Sequence, residues 1–193
     1  TDGEGNLIVV GYEDRHDLAQ GWNIWTRKFG PDRATLWTRT YDSPAHGHDE
    51  GQAVALDAGG NVYVSGWTRR DDLQQGYNAW ARSYDPRGEV RWTWEEDAGA
   101  GADELALAIA AAPGGGAWLG GWEDRPDLGE HYNAWVAKLD AKGRRLWKRT
   151  YDAPAHAYEY LHRIVVDRDG SAWCAGYEDR PDLGEGLNAL LLR

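Results

Sequence analysis

The chain has 193 residues, 41% apolar and 27% charged, a balance that fills a folded domain with a real core and excludes a disordered polymer. Its formal charge of −11 excludes partners held by Lys and Arg clusters, so neither nucleic acid nor an anionic membrane surface is expected. No apolar stretch reaches membrane-spanning length, so no membrane insertion is expected either.

Thr1 begins in the middle of a sequence repeat, which reads as a processed piece of a longer chain. After it, Leu7-Ile8-Val9-Val10 is apolar on both faces, as in a strand covered on both sides, and ends at Gly11-Tyr12 before an acidic loop. The next unit is read more fully. Gly51–Leu56 reads as a strand, Asp57-Ala58-Gly59-Gly60 as a tight turn, and Asn61–Trp67 as the returning strand of a hairpin. A polar stretch, Thr68 to Gly76, leads to a third strand over Tyr77–Tyr84, and Asp85-Pro86-Arg87-Gly88 turns into a fourth over Val90–Trp94. We name these strands A to D. Gly11, Gly66, Gly121 and Gly176 follow one another at a spacing of 55, as do Leu18, Leu73, Leu128 and Leu183, then Asn23, Asn78, Asn133 and Asn188. Trp37, Trp92 and Trp147 keep the same spacing.

An uninterrupted period of this size marks units that stack because none can bury its own faces. The expectation is an all-β protein, a β-propeller built from 55-residue four-stranded antiparallel blades. A parallel-strand solenoid is the competitor, but its coils are usually shorter and lack such hairpin turns. The copies run approximately over 1–48 (strands B to D, beginning near Asn6), 49–103, 104–158 and 159–193 (strands A to C). First and last blades are incomplete, and they do not complement each other. Another copy or further repeats are therefore expected to close the ring, since open strand edges invite pairing.

Antiparallel order puts the tight A–B and C–D turns on one rim and every long connection on the other, including 13–21, 41–51, 68–76, 96–103, 123–130 and 151–158. Long loops on a rigid scaffold concentrate binding residues, so that rim is the candidate functional face. Three kinds of residue stand out on it. Asp14, Asp17, Asp124, Asp127, Asp179 and Asp182 offer the hard oxygens that Ca²⁺ requires, against a plainer reading as acids paired with Arg15, Arg125 and Arg180. The second copy, with Thr68, Arg69, Arg70, Asp71 and Asp72, breaks that pattern. His46 and His48 with Asp49 and Glu50 form the densest titratable cluster, partly repeated at His156, and read as a divalent-metal site or as a solvated or hydrogen-bonded loop. Tyr12, Trp67, Trp122 and Tyr177 close strand B just below the rim, where rings either stack on a ligand or pack between blades; Trp25, Trp80 and Trp135 read as packing.

Cys174 is the sole cysteine and lies in the apolar run Ala172-Trp173-Cys174-Ala175, so it reads as a small core residue. No nucleophile elbow, zinc-protease helix or phosphate loop is present, so no catalytic residue and no cofactor are expected, Ca²⁺ standing only as a candidate ligand of the acidic loops.

Asp57–Gly66 and Asn133–Asp140, with Gly143 and Leu146-Trp147 following, resemble the bacterial β-propeller repeat labelled SBBP, over essentially the whole chain. The resemblance implies a secreted or surface-attached bacterial protein of the kind found in myxobacteria and their relatives. The expected function is a non-enzymatic binding or scaffold propeller that presents acidic loops to a protein or carbohydrate ligand. Two alternatives stand beside it: a polysaccharide hydrolase or lyase using rim carboxylates, and an assembly module pairing through open blade edges.

Overall fold

A computed structural model describes residues 1–99 and 101–193, so residue 100, within the 96–103 connection, lies outside the description. The chain is all-β, in four antiparallel sheets whose strands neighbour one another in chain order. The first sheet holds β1 (Leu7–Asp14), β2 (Trp22–Phe29) and β3 (Thr35–Tyr41). The second holds β4 (Glu50–Leu56), β5 (Val62–Arg69), β6 (Tyr77–Tyr84) and β7 (Val90–Glu96). The third holds β8 (Glu104–Ala111), β9 (Ala117–Asp124), β10 (Tyr132–Leu139) and β11 (Arg145–Tyr151). The fourth holds β12 (Glu159–Val166), β13 (Ala172–Asp179) and β14 (Leu187–Leu192).

Each sheet packs on the one before it, and the period of two decides which residue faces which neighbour. In β5, Val62 and Val64 join Ile8, Ile24 and Trp37 of the first sheet, while Tyr63 between them joins Ala106, Leu119 and Trp135 of the third. In β9, Leu119 faces the second sheet and Trp118 the fourth, where Leu161, Ile164 and Cys174 meet it. Burial on both faces explains the unbroken apolar runs. The opening strands β4, β8 and β12 converge: Val54, Ile109 and Ile164 line one narrow cleft of about 270 Å³.

The repeated glycine has a steric cause. A β-bulge in the neighbouring opening strand, between Gly51 and Ala53 and again between Ala106 and Ala108, pushes a carbonyl toward the second strand. A Cβ at Gly66 or Gly121 would strike the carbonyl oxygen of Glu50 or Leu105.

Candidate functional site

The four loops that join the second and third strands of each motif share one backbone design. The N–H groups of Arg15, Arg70, Arg125 and Arg180 donate to the carbonyls of Gly21, Gly76, His131 and Gly186, and Ala19, Gln74, Gly129 and Gly184 turn the chain with positive φ. Each arginine then folds onto the aspartate two residues on, with Nε to Oδ1 distances of 3.1 Å (Asp17), 2.9 Å (Asp72), 2.9 Å (Asp127) and 2.8 Å (Asp182). The second copy therefore keeps the arginine–aspartate clasp although its sequence breaks the acidic pattern, because Arg70 and Asp72 hold the register while Thr68 and Arg69 replace the Glu and Asp of the other copies. At position 68 the chemistry survives: Thr68 donates to Glu95 at 2.8 Å, and in the next copy Thr150 donates to Glu123 at 3.0 Å, the same two positions with their residues exchanged.

Asp17, Asp127 and Asp182, candidates for calcium or for pairing with the neighbouring arginine, have their carboxylates engaged by guanidinium, whose hydrogen bonds hold their pKa values below the usual range. Asp14 pairs with His16, which likewise lowers its pKa. Asp124 is pushed upward by burial and by the charge of Asp103. The Asp179 N–H donates to the Tyr158 carbonyl, tying the fourth loop to the strand entry beside it. Leu18, Leu73, Leu128 and Leu183 at the loop tips are each more than half exposed.

Below these tips runs an arc of rings across all four sheets. Tyr12 stacks on Trp22 with centroids 4.5 Å apart, and Trp22 meets His48 edge-on at 4.6 Å. Trp67 meets Tyr77 at 6.5 Å. Trp122 packs on Tyr132 at 4.2 Å and on Tyr160 at 5.8 Å, and Tyr160 passes the contact to Tyr177 at 4.8 Å. At the middle of the arc Trp22, Trp67 and Trp122, from three successive sheets, line one pocket of about 260 Å³ with Tyr77, His48, Glu50, Asp103 and Leu105. Burial raises the pKa of Glu50. The Asp103 carboxylate accepts the Tyr77 N–H at 2.8 Å, which anchors the start of β6 at the pocket wall. Such a pocket offers flat apolar faces with acceptor oxygens at their edge.

The titratable cluster divides. His48 alone joins the aromatic pocket. His46 and His156 take left-handed backbone angles, φ 52° and 50°, with Nδ1 2.5 Å from Asp42 and Asp152. Beside Asp42 and Asp97, Gln20 and Gln75 donate amide hydrogens at 2.6 and 2.8 Å, but the third copy has Glu130 there. Among the described residues Glu130, Asp152 and His156 are the group whose ligand atoms all fall within 4.8 Å of one another, the arrangement best suited to a cation.

Asp49 is wholly buried and braces its loop, accepting the N–H groups of Ser43 (2.5 Å) and Arg69 (3.0 Å); burial nevertheless lifts its pKa to about 6. Glu104 and Glu159 occupy the same register position in the next two sheets. Burial lifts Glu104 to about 8 despite Lys148, whose Nζ lies 2.6 Å away and also donates to Glu123 at 2.5 Å. Burial and the charge of Asp152 lift Glu159 to about 7. Cys174 is buried, with its thiol pushed up to about 11, as a core position requires.

Trp67 and Trp122 lie in the pocket, and Tyr12 and Tyr177 at the two ends of the arc. Glu50, read with the histidine cluster, lies in the pocket beside His48, whereas Trp22, Tyr77 and Asp103 were not anticipated there. A signal existed for the first two: Trp22, Tyr77, Tyr132 and Leu187 stand at one repeat position immediately before the invariant asparagine. Pairing of β1 with β2 and of β5 with β6 puts Trp22 opposite Asp14 and Tyr77 opposite Arg69, at the rim end of each hairpin.

No protein-family model matches the chain, and no curated protein does. Among solved structures it is similar to the crystal structure of a protein of unknown function from Bacteroides caccae, with 17% identity and a TM-score of 0.51. The match covers 96% of this chain and 58% of that one, so the chain spans little more than half the length of the solved protein. At this identity the likeness concerns fold alone. No helix among the described residues is long and apolar enough to cross a membrane.

Proposed function

We propose that this chain is a carbohydrate-binding segment of a β-propeller that takes neutral oligosaccharide in the aromatic pocket of its long-loop rim. The observation that carries the reading is the convergence of Trp22, Trp67 and Trp122 from three sheets beside Glu50, His48 and Asp103. Indole faces suit the apolar faces of sugar rings, and carboxylates at the edge accept sugar hydroxyls. Carboxylates and the charge of −11 disfavour an acidic glycan.

The propeller part is supported by sheets buried on both faces, packed in sequence, and by the convergence of β4, β8 and β12 on one cleft, as strands around an axis converge. Resemblance to the SBBP repeat supports a secreted or surface-attached bacterial protein. The reading is non-enzymatic, with no metal required at the pocket.

Calorimetric titration with a panel of neutral oligosaccharides tests it. Saturable binding is expected, lost in Trp67→Ala and Trp122→Ala and kept in Trp25→Ala. Cleavage of a bound oligosaccharide that Glu50→Gln or Asp103→Asn abolishes without loss of binding would replace the reading with a hydrolase. Binding of no glycan, or binding indifferent to both tryptophans, would overturn it.

A further inference from the structure

At one place on the long-loop rim the repeat exchanges a hydrogen-bond donor for a charge. In the first copy Gln20 bridges two neighbours: its Oε1 accepts from Asn23 Nδ2 at 2.9 Å, and its Nε2 donates to Asp42 Oδ2 at 2.6 Å. The second copy repeats this with Gln75, Asn78 and Asp97, at 2.9 and 2.8 Å. One side-chain amide satisfies an amide and a carboxylate together.

In the third copy Glu130 stands in the same place. Its Oε2 keeps the bond from Asn133 Nδ2, at 2.6 Å, but a second carboxylate oxygen replaces the amide nitrogen and has nothing to donate to Asp152. Glu130, Asp152 and His156 bring their ligand atoms within 4.8 Å of one another. Arg125, the guanidinium of the same loop, is engaged by Asp127 at 2.9 Å and lies 3.7 Å from Glu123. Two carboxylates this close repel unless a proton or a cation joins them.

A further carboxylate reaches the same place. Glu159 is wholly buried, and neither of its oxygens has a hydrogen-bond partner. Its counterpart Asp49 accepts the Ser43 and Arg69 N–H groups. In the fourth sheet the Asp179 N–H donates instead to the Tyr158 carbonyl, and the Ala153 N–H stands beside Glu159 without closing a bond. The Glu159 carboxyl thus lies against the residue next to Asp152, where the charges of Asp152 and His156 both act on it.

We propose that Glu130, Asp152 and His156 hold a divalent transition-metal ion of the zinc type, with Glu159 beside them as the buried carboxylate that balances its charge. Two carboxylate oxygens and one imidazole nitrogen form a three-ligand set that leaves a fourth position for water, and the imidazole favours zinc over calcium. One ion per chain follows from the repeat. Gln20 and Gln75 put a donor where Glu130 puts an acceptor, and Gly101 takes the place of the histidine in the second copy. The ion ties the loop ahead of β10 to the connection that enters β12. None of its ligands lines the pocket of Trp22, Trp67 and Trp122, so the site stands independently of the carbohydrate reading.

The probe is Zn²⁺, titrated by calorimetry into the full chain after removal of metal, with Co²⁺ as a second probe whose visible absorption reports its ligands. Saturable binding of one ion per chain and a raised Tm are expected. Glu130→Gln rebuilds the bridge that the first copy already contains, so the variant keeps its metal-free Tm while binding weakens by at least about 100-fold, more than the loss of a group that only supports a ligand. His156→Gly, which places the second copy's residue at a position of φ 50°, has the same effect, and His46→Gly leaves binding unchanged. Glu159→Gln weakens binding by about tenfold. Absence of saturable binding would overturn the proposal, and so would binding that Glu130→Gln and His156→Gly leave intact, since the ion would then lie elsewhere.

Discussion

The first and third sheets are made from the same repeat, yet the same residues answer to different forces in them. Gly121 stands opposite Trp135 across β9 and β10, as Gly11 stands opposite Trp25 across β1 and β2. In the third sheet a Cβ at Gly121 would strike the Leu105 carbonyl, and Trp135 is 1% exposed against the second sheet, with Trp94 at 6.3 Å. In the first sheet a Cβ at Gly11 meets nothing within 4 Å, and Trp25 is partly exposed beneath the Arg27 guanidinium at 4.7 Å. A repeated letter therefore marks a requirement set by the neighbouring strand and sheet, and the requirement lapses where no neighbour stands.

The strongest way to break this comparison is to truncate the two tryptophans. Trp135→Ala is expected to cost about 4 kcal/mol, the range for emptying a large aromatic site in a core, and Trp25→Ala about 1 kcal/mol. Urea midpoints at unchanged slope measure both, and equal losses would refute the contrast. Next comes the glycine pair. Gly121→Ala is expected to cost about 3 kcal/mol, because a backbone carbonyl cannot yield as a side chain can, whereas Gly11→Ala stays within about 0.5 kcal/mol of the parent.

Acidity sharpens the comparison in another way. Asp49, Glu104 and Glu159 are buried at one position of the second, third and fourth sheets, and their pKa values are raised to about 6, 8 and 7. The folded chain therefore holds protons that the unfolded chain releases above the ordinary carboxylate range. Their stabilising contribution is complete below about pH 4 and is lost as pH rises through 6 to 8. Tm is expected to fall between pH 5 and pH 8, and Glu159→Gln to flatten its share by raising Tm at pH 8 while leaving it nearly unchanged at pH 5. A Glu159→Gln Tm difference that is the same at both pH values would show that this carboxyl is not the source.

The strand succession and the turns were legible because backbone chemistry writes them locally: Asp-x-x-Gly turns, apolar runs and a fixed spacing of 55. Trp67 and Trp122 were legible as rim aromatics for the same reason. That Trp22 joins them was not, since it comes from the preceding sheet and only the stacking of sheets brings it to the pocket. The histidine cluster misled in the opposite sense: neighbours in sequence, His46, His48 and Asp49 turn to a carboxylate, an indole and two backbone N–H groups respectively. The left-handed turn at His46 reverses the chain before β4 begins, so proximity in the sequence is a poor guide to proximity at a strand entry.

The smallest expected effect lies in the loops, where first and third sheets are most alike. Asp17 and Asp127 are both exposed and held by the arginine two residues before, so the pair gains little over solvation in water, and holding two side chains in one geometry consumes what it gains. Asp127→Asn and Asp17→Asn are each expected to leave Tm unchanged within error. Asp72 gives the sharper case: Arg70 also reaches Glu95 at 2.9 Å and is more enclosed, so Asp72→Asn is expected to lower Tm slightly where its counterparts do not. With the carboxylates of Asp17, Asp127 and Asp182 occupied by guanidinium, millimolar Ca²⁺ is expected to leave the parent's Tm unmoved. A calcium-dependent rise that Asp127→Asn removes would mean that a cation displaces the arginine, and that these loops are metal sites in their working state.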